Sequence, residues 1–145
     1  MAVRGIRGAT TCEADTPVAI VAATRELLGE LIEANGIAAS DIAGAWFTTT
    51  PDLVSEFPAV GARQLGWLDV PLICGHEMDV PYDNPRSIAR CVRVMILINT
   101  ERPQGEMRFI YLRGATAIQD ELDRARRGDL PQPAADVHGR RPSSL

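Results

Sequence analysis

The sequence predicts an α+β fold, a five-stranded sheet with helices covering one face, from three observations. Elements alternate along the chain as strand, helix, strand, helix, strand, strand, strand. The stretch from Pro17 to Asn35 carries one long apolar stripe at helical spacing. The segment from Cys91 to Asn99 is a dense β-branched run without Gly or Pro. A length of 145 residues suits one domain with a sizeable core.

The first strand is Val3 to Thr11, with Val3, Gly5, Arg7 and Ala9 on one face and Arg4, Ile6, Gly8 and Thr10 on the other. Thr16 then caps a helix whose first position is Pro17. Ile20, Ala23, Leu27, Leu28, Leu31 and Ile32 recur on one side of it, and Asn35-Gly36 stops it. Ile42 to Thr49 is a second strand, with Ala45 and Phe47 opposite Trp46. Thr50-Pro51 turns the chain. Phe57-Pro58 opens a short helix carrying Val60, Ala62, Arg63 and Leu65 and closing near Gly66. Val70 to Cys74 reads as a third strand, and Pro81 to Pro85 as a loop. Cys91 to Asn99 is the fourth strand, Gln104-Gly105 a turn, and Met107 to Leu112 the last strand. The pattern fades near Glu121, which divides the chain into a domain over residues 1–122 and a polar, Pro-rich, flexible tail over residues 123–145. The second face of the sheet also reads as apolar, which in a chain this small predicts burial by self-association.

Composition excludes several classes of function. The hydrophobic content of 46% is ordinary for a globular protein. A net charge of -4 argues against a nucleic-acid binder, which would show a basic bias. No stretch approaches the roughly 18 apolar residues of a membrane span. The N-terminal Met1 to Arg7 has no apolar core of signal-peptide length, so a cytoplasmic location is expected. Cys12, Cys74 and Cys91 are odd in number and far apart, which makes neither a disulfide framework nor a zinc pattern.

Arg93 is the residue with the most to explain. It lies inside the Cys91–Asn99 run, on the face shared by Cys91, Met95 and Leu97. This strand reads as buried, and an unpaired guanidinium there is very costly, because it cannot deprotonate. It therefore needs an anion from the chain, a neighbour or a ligand. A fixed cation in a dry site is also what stabilises negative charge developing on a substrate. Other motifs fail. His76-Glu77 lacks a second His four residues after His76, where Val80 stands, so no zinc helix is expected. Cys74 beside His76 reads as a small core thiol and a rim histidine. Gly5-x-x-Gly8 is too short for a phosphate loop. Arg7, Arg63 and Arg93 remain on ordered elements, with Glu77 and Tyr111 near strand ends.

A resemblance joins these pieces. Arg4-Gly5-Ile6-Arg7-Gly8-Ala9-Thr10-Thr11 is similar to the start of the monofunctional chorismate mutases of the AroH class. So are Thr50-Pro51-Asp52-Leu53, Phe57-Pro58-Ala59, Val70-Pro71 with Cys74, Glu77-Met78-Asp79-Val80, Cys91-Val92-Arg93-Val94-Met95 and Tyr111-Leu112. Each piece alone is weak; together, in order over residues 3–122, they are specific.

The resemblance implies a mixed sheet in a homotrimer resembling an α/β-barrel, with active sites at subunit interfaces. It implies rearrangement of chorismate to prephenate in Phe and Tyr biosynthesis, with no cofactor and no metal. It further implies that Arg93 faces the ether oxygen of the substrate, Arg7 grips a carboxylate with help from Tyr111, and Glu77 accepts the ring hydroxyl. Phe57, Ala59, Ile73, Cys74, Gly75, His76 and Ile118 would line the pocket, with Arg63 near its mouth. Two family cations are missing, at Val60 and Gln119, and the segment between Asp79 and Arg93 is longer than the family pattern by about four residues. A tail arginine (Arg124, Arg126 or Arg127) or Arg113 is the expected compensating charge. The alternatives are a trimeric module that binds a carboxylated metabolite, and a RidA-like imine deaminase, whose motifs are absent.

Overall fold

The computed structural model describes residues 1–135 of the chain. Its elements are β1 (Ala2–Thr11), α1 (Pro17–Asn35), β2 (Ile42–Thr49), α2 (Ala59–Gln64), β3 (Leu72–His76), β4 (Cys91–Thr100), β5 (Ile110–Tyr111) and α3 (Thr116–Arg126). The five strands form one sheet in the order β3-β2-β4-β1-β5. Central β4 runs antiparallel to β1 and β2, while the outer strands β5 and β3 pair parallel with β1 and β2. The sheet is therefore mixed, as expected.

Helix α1 explains most of the core. The Thr16 hydroxyl accepts the Ala19 N–H at 3.2 Å, Pro17 follows the cap, and Gly36 closes the helix at φ 62°. Ile20, Leu27, Leu28 and Leu31 are fully buried and share one core with Ile6, Phe47, Val92, Val94 and Ile96 of the sheet. Each such side chain contributes about 1.5–3 kcal/mol by leaving water. Close approach of α1 depends on Gly8. A Cβ there would lie 2.9 Å from Leu31 Cδ1 and 3.0 Å from the Ile110 carbonyl oxygen.

The opposite face is only partly covered. Ile118 and Leu122 of α3 pack on a small second core of Ala9, Cys91, Tyr111 and Ala115. The rest of that face is open in the single chain. Trp46, Ile73 and Met95 are 44%, 62% and 37% exposed there. Arg93 shares this open face, so its strand is buried on the Val92, Val94, Ile96 and Ile98 side and not on both. No helix among the described residues is long and apolar enough to cross a membrane.

Three elements differ from expectation for identifiable reasons. The third strand begins at Leu72, two residues later than the pattern suggests, because Pro71 has no N–H for the ladder and gives only its carbonyl, to Ala45 N at 3.0 Å. The last strand shrinks to Ile110–Tyr111. The buried Asn35 side chain takes the strand's place at Arg108, donating to its carbonyl at 2.9 Å and accepting its N–H at 2.8 Å. The chain is helical beyond Glu121, through Arg126. An apolar stripe of little more than Ile118 and Leu122 is too thin to reveal a helix by periodicity. Of the expected tail, residues 136–145 lie outside the described residues.

Candidate active site

Strand register alone gathers the candidate residues. Thr48 and Ala9 are the partners of Arg93 on either side of β4, Gly75 is the partner of Thr48, and Tyr111 is the partner of Ala9. Paired residues point to the same face, so Gly75, Thr48, Arg93, Ala9 and Tyr111 make one row across the sheet. The row below it is Ile73, Trp46, Met95 and Arg7. Small neighbours at Ala9 and Gly75 leave room for the long side chains of Arg93 and Arg7.

Glu77 enters from the end of β3, where its N–H donates to the Thr49 carbonyl at 2.8 Å. Its Oε2 accepts the Thr48 hydroxyl at 3.0 Å and lies 3.9 Å from Arg93 Nη1; its Oε1 accepts the Met78 N–H at 3.1 Å. Burial opposes the charge on this carboxyl. The bonds from Met78 and Thr48, with Arg93 and Arg7 nearby, outweigh that and hold its pKa below the usual value. Glu77 is therefore a carboxylate at neutral pH.

Arg7, Glu77 and Arg93 line one cavity of about 730 Å³. Its outer wall is the loop over residues 78–89. Tyr111 stands beside it, buried, with a hydroxyl that has no hydrogen-bond partner among the described residues. Burial raises the Tyr111 pKa, against the nearby charges of Arg7, Arg126 and Arg93. The phenol stays protonated, a donor waiting for an acceptor.

The other expected residues form a second group. Phe57, Cys74, Gly75 and His76 line a separate cavity of about 300 Å³. Ala59 is buried at the start of α2, and Arg63 is exposed on the same helix, close enough for its charge to act on Cys74. Ile73 is exposed on the open face, and Ile118 packs on the Tyr111 side of the sheet. The expected residues thus fall around two separate cavities of one chain. Burial raises the pKa of Cys74, as it does for Cys12 and Cys91, so none of the three thiols is a ready nucleophile.

Some residues were missed by the sequence reading. Thr48 orients Glu77 and was counted only as strand. Asp52 enters the sequence reading only as part of the Thr50–Leu53 resemblance. Its Oδ2 accepts the Arg90 N–H at 2.8 Å, and its Oδ1 accepts the Thr50 hydroxyl, which in turn accepts the Cys91 N–H at 2.9 Å. Arg90 has φ 47°, a strained value for a residue with a side chain, and this network holds it at the entrance to β4. Among the expected compensating cations, Arg113 is committed elsewhere, in a two-pronged pair with Glu26 at 2.9 and 3.2 Å.

Comparison with known proteins agrees with this arrangement. Residues 3–122 match the family model "Chorismate mutase type I". The chain is 49% identical over 124 residues to chorismate mutase AroH of Thermus thermophilus, covering 85% of this chain and 98% of that protein. It is 38% identical over 131 residues to chorismate mutase AroH of Bacillus subtilis, covering 90% and 100%. The solved chorismate mutase of Clostridium thermocellum superposes with a TM-score of 0.73 at 42% identity, over 78% of this chain and 97% of that one. The chain belongs to the type I chorismate mutase family. Its activity is accordingly that of an isomerase, a chorismate mutase of aromatic amino-acid biosynthesis.

Proposed function

We propose that catalysis occurs at the interfaces of a homotrimer. In this reading Arg7, Glu77, Arg93 and Tyr111 of one protomer face Phe57, Ala59, Arg63 and Cys74 of its neighbour. The single observation that carries the reading is the convergence of Arg7, Arg93 and an ionised Glu77 on one cavity. The separate lodging of the second group, and the exposed apolar row of Ile73, Trp46 and Met95, support its completion by another copy.

The chemistry is an intramolecular rearrangement of chorismate to prephenate. One C–O bond breaks, one C–C bond forms, and no proton moves. The protein has two tasks: to hold a flexible dianion in its compact, diaxial shape, and to stabilise the ether oxygen as electrons gather on it. Arg93 serves the second task. It is fixed on the central strand and restrained on one side by Glu77, so little reorganisation is needed as charge develops. A well-placed donor of this kind is worth about 3 kcal/mol or more in the transition state. Arg7 and the unsatisfied Tyr111 hydroxyl bind a carboxylate. Glu77 accepts the ring hydroxyl of the substrate and balances the arginine charge in the empty site. Neither a cofactor nor a metal enters any of these steps. The free thiols of Cys12, Cys74 and Cys91 suit a reducing, cytoplasmic compartment.

The test is direct. Purified protein is mixed with chorismate, the loss of chorismate absorbance is followed, and the mass in solution is measured by light scattering. Turnover by a species of three chains supports the proposal. Full activity in a monomer, or saturable binding without turnover, contradicts it.

A further inference from the structure

The main cavity has a third guanidinium on its wall. Arg86 lies on the loop between β3 and β4 and lines this cavity together with Arg7 and Arg93. It also lines a groove on α3, beside Ile88, Ile118 and Glu121. It therefore stands on the boundary between the two.

The backbone at Arg86 is held by the Asn84 turn, and its side chain is paired at the surface. Asn84 accepts the Arg86 N–H through its side chain at 2.9 Å and the Ser87 N–H through its carbonyl at 2.9 Å. The side chain reaches Glu121, with Nε and Nη2 both 2.7 Å from the same oxygen, Oε1. Arg86 is 40% exposed in this pair, so solvent screens it and another carboxylate can compete.

The charges around the cavity show why a competitor matters. Three carboxylates line this cavity: Asp52 is occupied by Arg90 and Thr50, Glu77 by Thr48, Met78 and Arg93, and Asp79 stands on the loop wall. The substrate proposed above brings two carboxylates. Arg7 meets one, and Arg93 is committed to the ether oxygen. For the second carboxylate the proposed neighbour offers only Arg63, near the mouth, whereas Arg86 is the further cation on this protomer's own wall.

We propose that Arg86 is a substrate-binding residue that exchanges Glu121 for the second carboxylate of the dianion. The Arg86–Glu121 pair is then the resting arrangement of the empty enzyme, and α3 acts as the store that holds the arginine beside the cavity. The inference rests on the chorismate mutase reading of that cavity.

Two variants with opposite expectations test it, assayed in the full-length enzyme with chorismate. Arg86→Gln removes the cation and is expected to raise KM on the order of fivefold or more, with kcat within about twofold. Glu121→Gln frees the cation and is expected to leave KM at or below the wild-type value. Arg86→Lys keeps the charge without the fork and falls between wild type and Arg86→Gln. The rise of KM with ionic strength should be shallower for Arg86→Gln than for wild type. If the pair only tethers the loop, both Gln variants raise KM alike, and that outcome overturns the proposal. An Arg86→Gln enzyme with wild-type KM also overturns it. Absence of chorismate turnover by the wild-type protein would instead overturn the underlying reading of the cavity.

Discussion

Thr48 donates its hydroxyl to Glu77 Oε2 at 3.0 Å, and it does so from the position directly beside Arg93 in the β2–β4 ladder. The carboxylate is thus set by the same strand pairing that sets the guanidinium. A small shift of β4 against β2 would therefore change the spacing between the two groups.

Removing that hydroxyl should loosen Glu77 without disturbing the sheet. Thr48→Val keeps the branched strand side chain and loses the donor; kcat/KM is expected to fall about tenfold, the value of one hydrogen bond to a charged group. Thr48→Ser should stay within about threefold of wild type. Steady-state kinetics on both variants check this, and equal losses in the two would contradict it.

The lowered pKa of Glu77 gives a pH dependence with a definite sign. Burial raises the pKa, but Met78, Thr48, Arg93 and Arg7 together hold it below 4.5. A group depressed in the folded state contributes stability that is complete above its unfolded pKa and lost as pH falls through the folded value. Activity that needs the carboxylate should therefore stay flat from neutral pH down to about pH 5 and fall only below the ordinary glutamate range. A pH profile of kcat/KM for wild type and Thr48→Val tests this. The variant's acidic limb should lie at higher pH.

Gly8 is a packing requirement of the fold. Gly8→Ala places a methyl group against the Ile110 carbonyl at 3.0 Å and Leu31 Cδ1 at 2.9 Å. The carbonyl is backbone and cannot swing aside, so stability should fall by about 1–3 kcal/mol. Because Ile110 adjoins Tyr111, kcat/KM should fall too. Denaturant unfolding and steady-state kinetics measure the two effects.

Asn35 holds the approach to Tyr111 from the other side. It is buried and brackets the Arg108 backbone with two hydrogen bonds. Asn35→Leu leaves that N–H and carbonyl without these partners and should cost about 2–4 kcal/mol. Asn35→Asp keeps the acceptor but sets a buried carboxylate against the Leu31 and Arg108 carbonyls, and should cost at least as much. Chemical denaturation of both variants decides the order.

The open face makes a separate prediction about assembly. Trp46 and Ile73 are cross-strand partners and exposed in the single chain. Trp46→Glu with Ile73→Glu puts two charges on the face proposed to be covered, and should yield a smaller species by light scattering and lose most activity. A double variant of unchanged mass and activity would place the interface elsewhere.

How far the sequence reveals this molecule varies by element. Helix α1 was readable end to end, because Thr16, Pro17 and Gly36 mark its limits and its apolar stripe is wide. The alternation in β1, β2 and β4 placed Arg7 and Arg93 on one strand face, and both line the cavity of about 730 Å³ there. What a single sequence does not display is long-range pairing. The substitution of Asn35 for a strand partner at Arg108 joins positions far apart in the chain, and nothing local to Met107–Leu112 announces it. The clasp of Thr48 on Glu77 depends on parallel pairing of β2 with β3, which no local pattern encodes. The burial of Arg93 was overestimated because β4 is apolar on both faces, while only one of them is covered within the chain. Local chemistry placed Glu77 and Tyr111 only near strand ends, and the roles given to them came from resemblance.

The central claim is that the Arg93 guanidinium stabilises the breaking C–O bond. Chorismate turnover by Arg93→Lys tests it most directly, since charge is retained and the planar fork is lost. With folding confirmed by circular dichroism, kcat should fall on the order of a hundredfold or more while KM changes far less. A kcat within about threefold of wild type would show that the fork at Arg93 does not drive the reaction.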